Sequence, residues 1–130
     1  MRMIHTDQII SEIRDMCIDA NLYLSDDMKQ AISDGKHSEK SPLGRQILEH
    51  LEENMDIAAA ESIPICQDTG MAVVFLKIGQ ELHIEGLSLE DAVNEGIRQG
   101  YTDGYLRKSV VGDPLLRENT KDNTPGIIHY

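Results

Sequence analysis

Glycine recurs at 96, 100 and 104 within a segment that otherwise reads as an amphipathic helix, and this spacing constrains the fold more than any other feature of the chain. Residues four apart stand one above another on a helix face. Each glycine costs a helix about 1 kcal/mol relative to alanine. Three on one face are therefore expected where another backbone, or a bound group, comes closer than a Cβ would allow, the alternative being a weak or broken helix. Ser88-Leu89-Glu90-Asp91 opens the segment as a capping box with Asp in place of Glu or Gln. Ala92, Val93, Ile97, Tyr101 and Tyr105 are expected on its apolar side.

Three more helices are expected to precede it. Thr6 is an N-cap candidate for a helix that buries Ile9, Ile10, Ile13, Met16, Cys17 and Ala20, which places Cys17 in an apolar stripe as a buried structural thiol. Ser25 opens a shorter helix with Met28, Ala31 and Ile32 inward, and the polar run Ser33 to Lys40 reads as a loop. Ser41-Pro42 starts a third helix carrying Leu43, Ile47, Leu51, Met55 and Ala58 and ending near Ala60, because Ile63-Pro64 opposes continuation. Met71 to Ile78 and Leu82 to Glu85 read as two strands joined around Gly79 in a hairpin. Val110 to Pro114 reads as extended chain entering a turn, Asn119 to Gly126 is dense in turn formers, and Ile127 to Tyr130 reads as the beginning of a strand. With helices leading and no regular βαβ alternation, the expected fold is α+β, mainly helical with a small antiparallel hairpin or sheet.

At 130 residues the chain has the size of one domain, residues 1–130, and the apolar strand at its end suggests that this domain is incomplete at the C-terminus. Twelve basic against 23 acidic residues give a net charge of −11, which disfavours nucleic acid. The basic residues Arg98, Arg107, Lys108, Arg117 and Lys121 nevertheless cluster late in the chain, where a small anion could find a site. No apolar run approaches the roughly 20 residues of a membrane span, and the N-terminus lacks the apolar stretch of a secretory signal. The expected location is the cytoplasm, where the two cysteines, Cys17 and Cys66, would be thiols.

The chemistry-bearing segment is Ile63-Pro64-Ile65-Cys66-Gln67-Asp68-Thr69-Gly70. A cysteine after a rigidifying proline is followed by an amide, a carboxylate, a hydroxyl and a glycine, on a loop next to a helix. Asp68, two residues from Cys66, would raise a free thiol's pKa, which disfavours a thiol nucleophile or redox sensor. A metal reverses that handicap by deprotonating the thiol outright. One cysteine cannot build a metal site, and no C-x2-C pair or matching histidine accompanies it, so other ligands must come from elsewhere.

The Ile63–Gly70 string, the Asp91-to-Arg107 segment with Tyr101, Gly104, Tyr105 and Leu106, and Arg117-Glu118-Asn119-Thr120-Lys121-Asp122-Asn123-Thr124-Pro125 together resemble class I fumarases and the alpha subunits of L-tartrate dehydratase. The resemblance covers nearly the whole chain, with the three motifs in the family's order. It implies a hydro-lyase holding a [4Fe-4S] cluster through three cysteines, whose remaining iron binds a 2-hydroxy dicarboxylate as a Lewis acid. By that resemblance Cys66 is a cluster ligand, Gln67 a substrate hydrogen-bonding contact and Asp68 an acid/base group that also contacts substrate. Arg107 is the carboxylate-binding residue, with Lys108 and Arg117 as rivals. Asn119 to Pro125 reads either as a pocket wall or as a set of turn caps, with the caps favoured.

The resemblance also implies what the chain lacks: two further cluster cysteines, a later catalytic histidine and residues from a second region or beta subunit. The chain is expected to be the N-terminal, alpha-type part of such an enzyme, inactive and without its cluster when alone. Its expected partners are the remaining alpha chain, a beta subunit or C-terminal domain, a dicarboxylate such as fumarate, malate or tartrate, and a second copy of itself where apolar surface is left uncovered. The competing reading is a non-catalytic acidic interaction or regulatory module that retains the fold.

Overall fold

The computed structural model describes residues 2–130 and contains β1 (Arg2–His5), α1 (Thr6–Leu22), α2 (Asp26–Ser38), α3 (Pro42–Glu61), β2 (Val73–Phe75), β3 (Leu82–Glu85), α4 (Leu89–Asp103) and β4 (Ile127–His129). These fall into two compact units, one formed by the chain up to Ile18 together with Gln67–Tyr130, the other by Asp19–Cys66. Among the described residues no helix is long and apolar enough to cross a membrane.

The first unit is built on the glycine face of α4. A Cβ on Gly96 would lie 2.7 Å from the Ile13 Cβ, one on Gly100 would lie 2.8 Å from both the Arg14 carbonyl oxygen and the Cys17 Cβ, and one on Gly104 would lie 2.9 Å from the Ile18 side chain. Each four-residue step along α4 meets a comparable step along α1, so the helices run in the same direction with the glycines as the seat. What approaches is α1 of the same chain, through backbone at Gly96 and Gly100 and through the Ile18 side chain at Gly104, so the close-approach expectation holds. Around the seat Ile13, Val93, Ile97, Tyr101 and Leu106 form the buried core, with Ile9, Cys17, Ala72, Val74, Leu76, Leu89 and Ile128 packed against it. The Ser88 hydroxyl accepts from the Asp91 N–H at 3.1 Å, the N-cap bond read from the sequence, and donates to the Asp91 carboxylate at 2.7 Å.

Several inward assignments on α1 do not hold. Met16 is about half exposed and Ala20 is exposed. The buried Thr6 hydroxyl accepts the Leu87 N–H at 3.1 Å, so it serves a tertiary contact 81 residues away. Tyr105, expected on the apolar side of α4, is 92% exposed because the helix has already ended.

The antiparallel hairpin is a correction. β1 pairs in parallel with β3, Ile4 opposite Ile84, and β2 pairs in parallel with β4, Val74 opposite Ile128. β2 and β3 thus lie in different two-stranded sheets, although only residues 76–81 separate them. Alternation says which face a strand buries but not which strand it joins; here each takes a distant partner whose inward side chain is also apolar. Phe75 and His129, opposite one another, stack with ring centroids 4.9 Å apart. The strand anticipated at Ile127 is present, whereas the sequence carried no strand assignment for Arg2–His5, which forms β1.

The second unit contains α2 and α3. Ser41 caps α3, its hydroxyl accepting the Gly44 N–H at 3.3 Å, and Pro42 occupies the first turn as predicted. α2 continues through Ser38, so most of the expected loop is helical. The His37 ring bonds the Ser33 carbonyl and the Ser38 hydroxyl donates to the Asp34 carbonyl, which ties the polar side chains into the helix, while Lys36 pairs with Glu52 on α3. Met28 and Ala31, expected inward, are exposed. Met55 and Ala58 are buried, while Leu43, Ile47 and Leu51 on the same stripe remain exposed.

Candidate functional site

The Cys66 loop begins where α3 stops. Ser62 takes a left-handed conformation, φ 54°, and the Ile63 N–H closes back on the Ala58 carbonyl at 3.1 Å. Ile65 is held on both backbone groups: its N–H donates to the Asn21 carbonyl and its carbonyl accepts from the Asn54 amide, each at 2.9 Å. Cys66 follows directly and is exposed. It is the last residue of the second unit; Gln67 and Asp68, also exposed, begin the return into the first.

Within the first unit, Thr69 and Gly70 are bracketed by residues from two later segments. The Tyr101 hydroxyl donates to the Thr69 carbonyl at 2.8 Å, and the Thr69 hydroxyl donates to the Arg107 carbonyl at 2.9 Å. The Asn123 amide donates to the Gly70 carbonyl at 2.9 Å, and its own oxygen accepts the N–H groups of Ser109 and Val110 at 2.8 and 3.1 Å. Asn119 spans the same stretch, donating to the Lys108 carbonyl at 2.8 Å. Asn123 is fully buried, with a left-handed φ of 63°, so its satisfied side chain matches the rule that buried polar groups are hydrogen-bonded. The end of α4 feeds this bracket through the Leu106 N–H on the Tyr101 carbonyl and the Tyr105 N–H on the Thr102 carbonyl, a Schellman closure with Tyr105 in the left-handed position and Leu106 buried.

Thr69, Gly70, Arg107 and the Asn119–Asn123 turn therefore belong to one hydrogen-bonded assembly. For Asn119 and Asn123 the structure favours turn and segment bracing, as the sequence reading did. That reading assigned no structural task to Thr69 and treated Tyr101 as an apolar helix residue. The signal available was slight: a hydroxyl after Asp68, and an asparagine in a turn-rich stretch where asparagine tolerates left-handed backbone.

Charges sort the basic cluster. Arg98 bonds Asp122 through Nε at 2.9 Å and also pairs with Glu95, so it braces the turn and is not on offer to an anion. Although burial opposes it, the Thr124 N–H and hydroxyl together with Arg98 hold the Asp122 carboxyl down at about 2. None of the ion pairs among the described residues involves Arg107, whose side chain is exposed. Burial pushes the Cys17 thiol up to about 11, and its Cβ lies in the α1–α4 seat, which suits packing and opposes ligation. Among the described residues no three His, Cys, Asp or Glu side chains are placed to hold a metal ion. The described residues thus offer one exposed cysteine, Cys66, and no complete set of metal ligands.

The family profile described as fumarate hydratase (Fumerase) matches residues 10–130. A protein of Methanocaldococcus jannaschii, provisionally named L(+)-tartrate dehydratase subunit alpha, is 37% identical over 106 residues, covering 81% of this chain and 37% of the relative. A provisionally named class I fumarate hydratase of Geobacillus stearothermophilus is 27% identical over 118 residues, 90% of this chain and 22% of the relative. The L(+)-tartrate dehydratase subunit alpha of Escherichia coli K12 is 28% identical over 101 residues, 78% and 33% respectively. The chain, matched by this profile over nearly its whole length, belongs to the fumarate hydratase family. The chain spans between 22 and 37% of the length of these relatives.

Proposed function

We propose that the chain is the N-terminal, alpha-type part of a [4Fe-4S]-dependent hydro-lyase that adds water to, or removes it from, a small dicarboxylate, with fumarate and malate first and tartrate second. The observation that carries this reading is the assembly joining Thr69–Gly70, Arg107–Val110 and Asn119–Asn123, because these are the segments in which the family resemblance lies. Cys66 supplies one thiolate to the cluster. When bound, such a cluster supplies a Lewis-acidic iron. The remaining ligands come from outside this chain, in the rest of the alpha polypeptide or a beta-type partner, consistent with relatives named as alpha subunits of which the match covers 33–37%.

The chain's own residues bind and move protons. Arg107 meets a substrate carboxylate with two parallel N–H donors, which a lysine could not do. Gln67 hydrogen-bonds substrate oxygen through its side-chain amide. Asp68 is the acid/base group: as carboxylate it takes a proton during the elimination and, by microscopic reversibility, returns it during hydration.

The test is an assembly of this chain with the remaining alpha-type and beta-type parts of such an enzyme, prepared without oxygen and assayed for hydration of fumarate and dehydration of malate and tartrate. Asp68→Asn should lower kcat by about 100-fold or more at little change in KM. Arg107→Lys should raise KM about tenfold or more. Wild-type turnover in both variants would overturn the residue roles, and an inert wild-type assembly with its cluster in place would overturn the reaction.

A further inference from the structure

We infer that Thr69 is a positioning residue for Arg107, and that Tyr101 and Asn123 hold the acid/base loop and the carboxylate-binding arginine in one register. This rests on the proposed role of Arg107 in gripping a substrate carboxylate. An exposed arginine has a long, mobile side chain, so the reach of its guanidinium is set by how well its backbone is anchored; misplacement by about 1 Å can cost about 100-fold in rate.

Around Arg107 consecutive backbone groups are tied down. The Leu106 N–H closes the end of α4, the Arg107 carbonyl accepts from Thr69, the Lys108 carbonyl accepts from Asn119, and the Ser109 and Val110 N–H groups share the Asn123 oxygen. The same side chains hold the other side of the register. Tyr101, whose carbonyl ends the helix, places its hydroxyl 2.8 Å from the Thr69 carbonyl and 3.4 Å from that of Gly70, and Asn123 donates to the Gly70 carbonyl at 2.9 Å. Thr69 adjoins Asp68 in sequence and bonds Arg107 directly, so one hydroxyl links the residue after the proton-handling carboxylate to the residue that grips the substrate.

The experiment is a double-mutant cycle on the assembled enzyme, with Thr69→Val, Thr69→Ser, Arg107→Ala and the Thr69→Val/Arg107→Ala pair, and folding checked by thermal melts. Thr69→Val should raise KM for the dicarboxylate about tenfold with kcat within about threefold, and Thr69→Ser should restore KM to within about twofold. Combined with Arg107→Ala, Thr69→Val should add nothing further, since the group it positions is gone. Tyr101→Phe, which keeps the buried ring and removes only the hydroxyl, should move KM in the same direction and covers the case in which Thr69→Val fails to fold. Active wild type with additive Thr69 and Arg107 effects, or a KM unmoved in both Thr69→Val and Tyr101→Phe, overturns this inference alone. A wild-type assembly that turns over no diacid overturns the functional reading and this inference with it.

Discussion

Cys17 and Cys66 carry the same thiol into opposite surroundings. Cys17 is wedged against Gly100 in the helix seat with its thiol pushed up to about 11, while Cys66 is exposed on its loop. Brief alkylation of the folded chain with iodoacetamide at pH 8, read by mass spectrometry, should label Cys66 and spare Cys17 until the chain is unfolded; equal labelling would contradict the packing. Asp122 makes a pH-dependent contribution. Its carboxyl is lowered from 3.8 to about 2 in the fold, so the stability it brings is present above about pH 4 and is lost as pH falls toward 2. Asp122→Asn should cost about 1 kcal/mol in urea unfolding at pH 6, allowing for a partly exposed pair, and almost nothing near pH 2. A cost that persists at pH 2 would place the effect in packing instead of charge.

At the scale of elements, the α1–α4 seat is the most demanding contact. Gly100→Ala would drive a methyl to within 2.8 Å of the Arg14 carbonyl oxygen and the Cys17 Cβ, so the gain of a few tenths to 1 kcal/mol in helix propensity is outweighed by overpacking. A loss of about 2 kcal/mol is expected by denaturant unfolding; a more stable Gly100→Ala would mean that the helices separate. Tyr105 offers the converse test. It holds the left-handed closing position of α4, φ 53°, with its ring exposed, so Tyr105→Gly should stabilise the chain by about 0.5–1 kcal/mol. Helix existence and the glycine seat were legible because periodicity and glycine spacing are local consequences of helix geometry. Strand pairing was not, since Val73–Phe75 could pair with any apolar partner and joined Ile127–His129 from the far end of the chain. The helical Ser33–Ser38 stretch was also hidden: its residues favour turns in isolation, and side-chain bonds to carbonyls one turn back reconcile them with a helix.

For the whole molecule, the resemblance singles out Cys66, Gln67, Asp68 and Arg107, whereas the bracing was not legible, because Thr69 bonds the Arg107 carbonyl 38 residues on and Asn123 reaches the Gly70 carbonyl from 53 residues away. The donor set also sets the terms of cofactor binding: the chain alone, with one exposed cysteine, should retain far less than the roughly four irons of a full cluster after anaerobic reconstitution. The most direct test of the central claim is the iron and sulfide content of the anaerobically reconstituted assembly with Cys66→Ser or Cys17→Ser in this chain. Cys17→Ser is expected to retain the wild-type content, and Cys66→Ser to lose the cluster or hold it far more weakly. A full, stable complement in Cys66→Ser would contradict the claim.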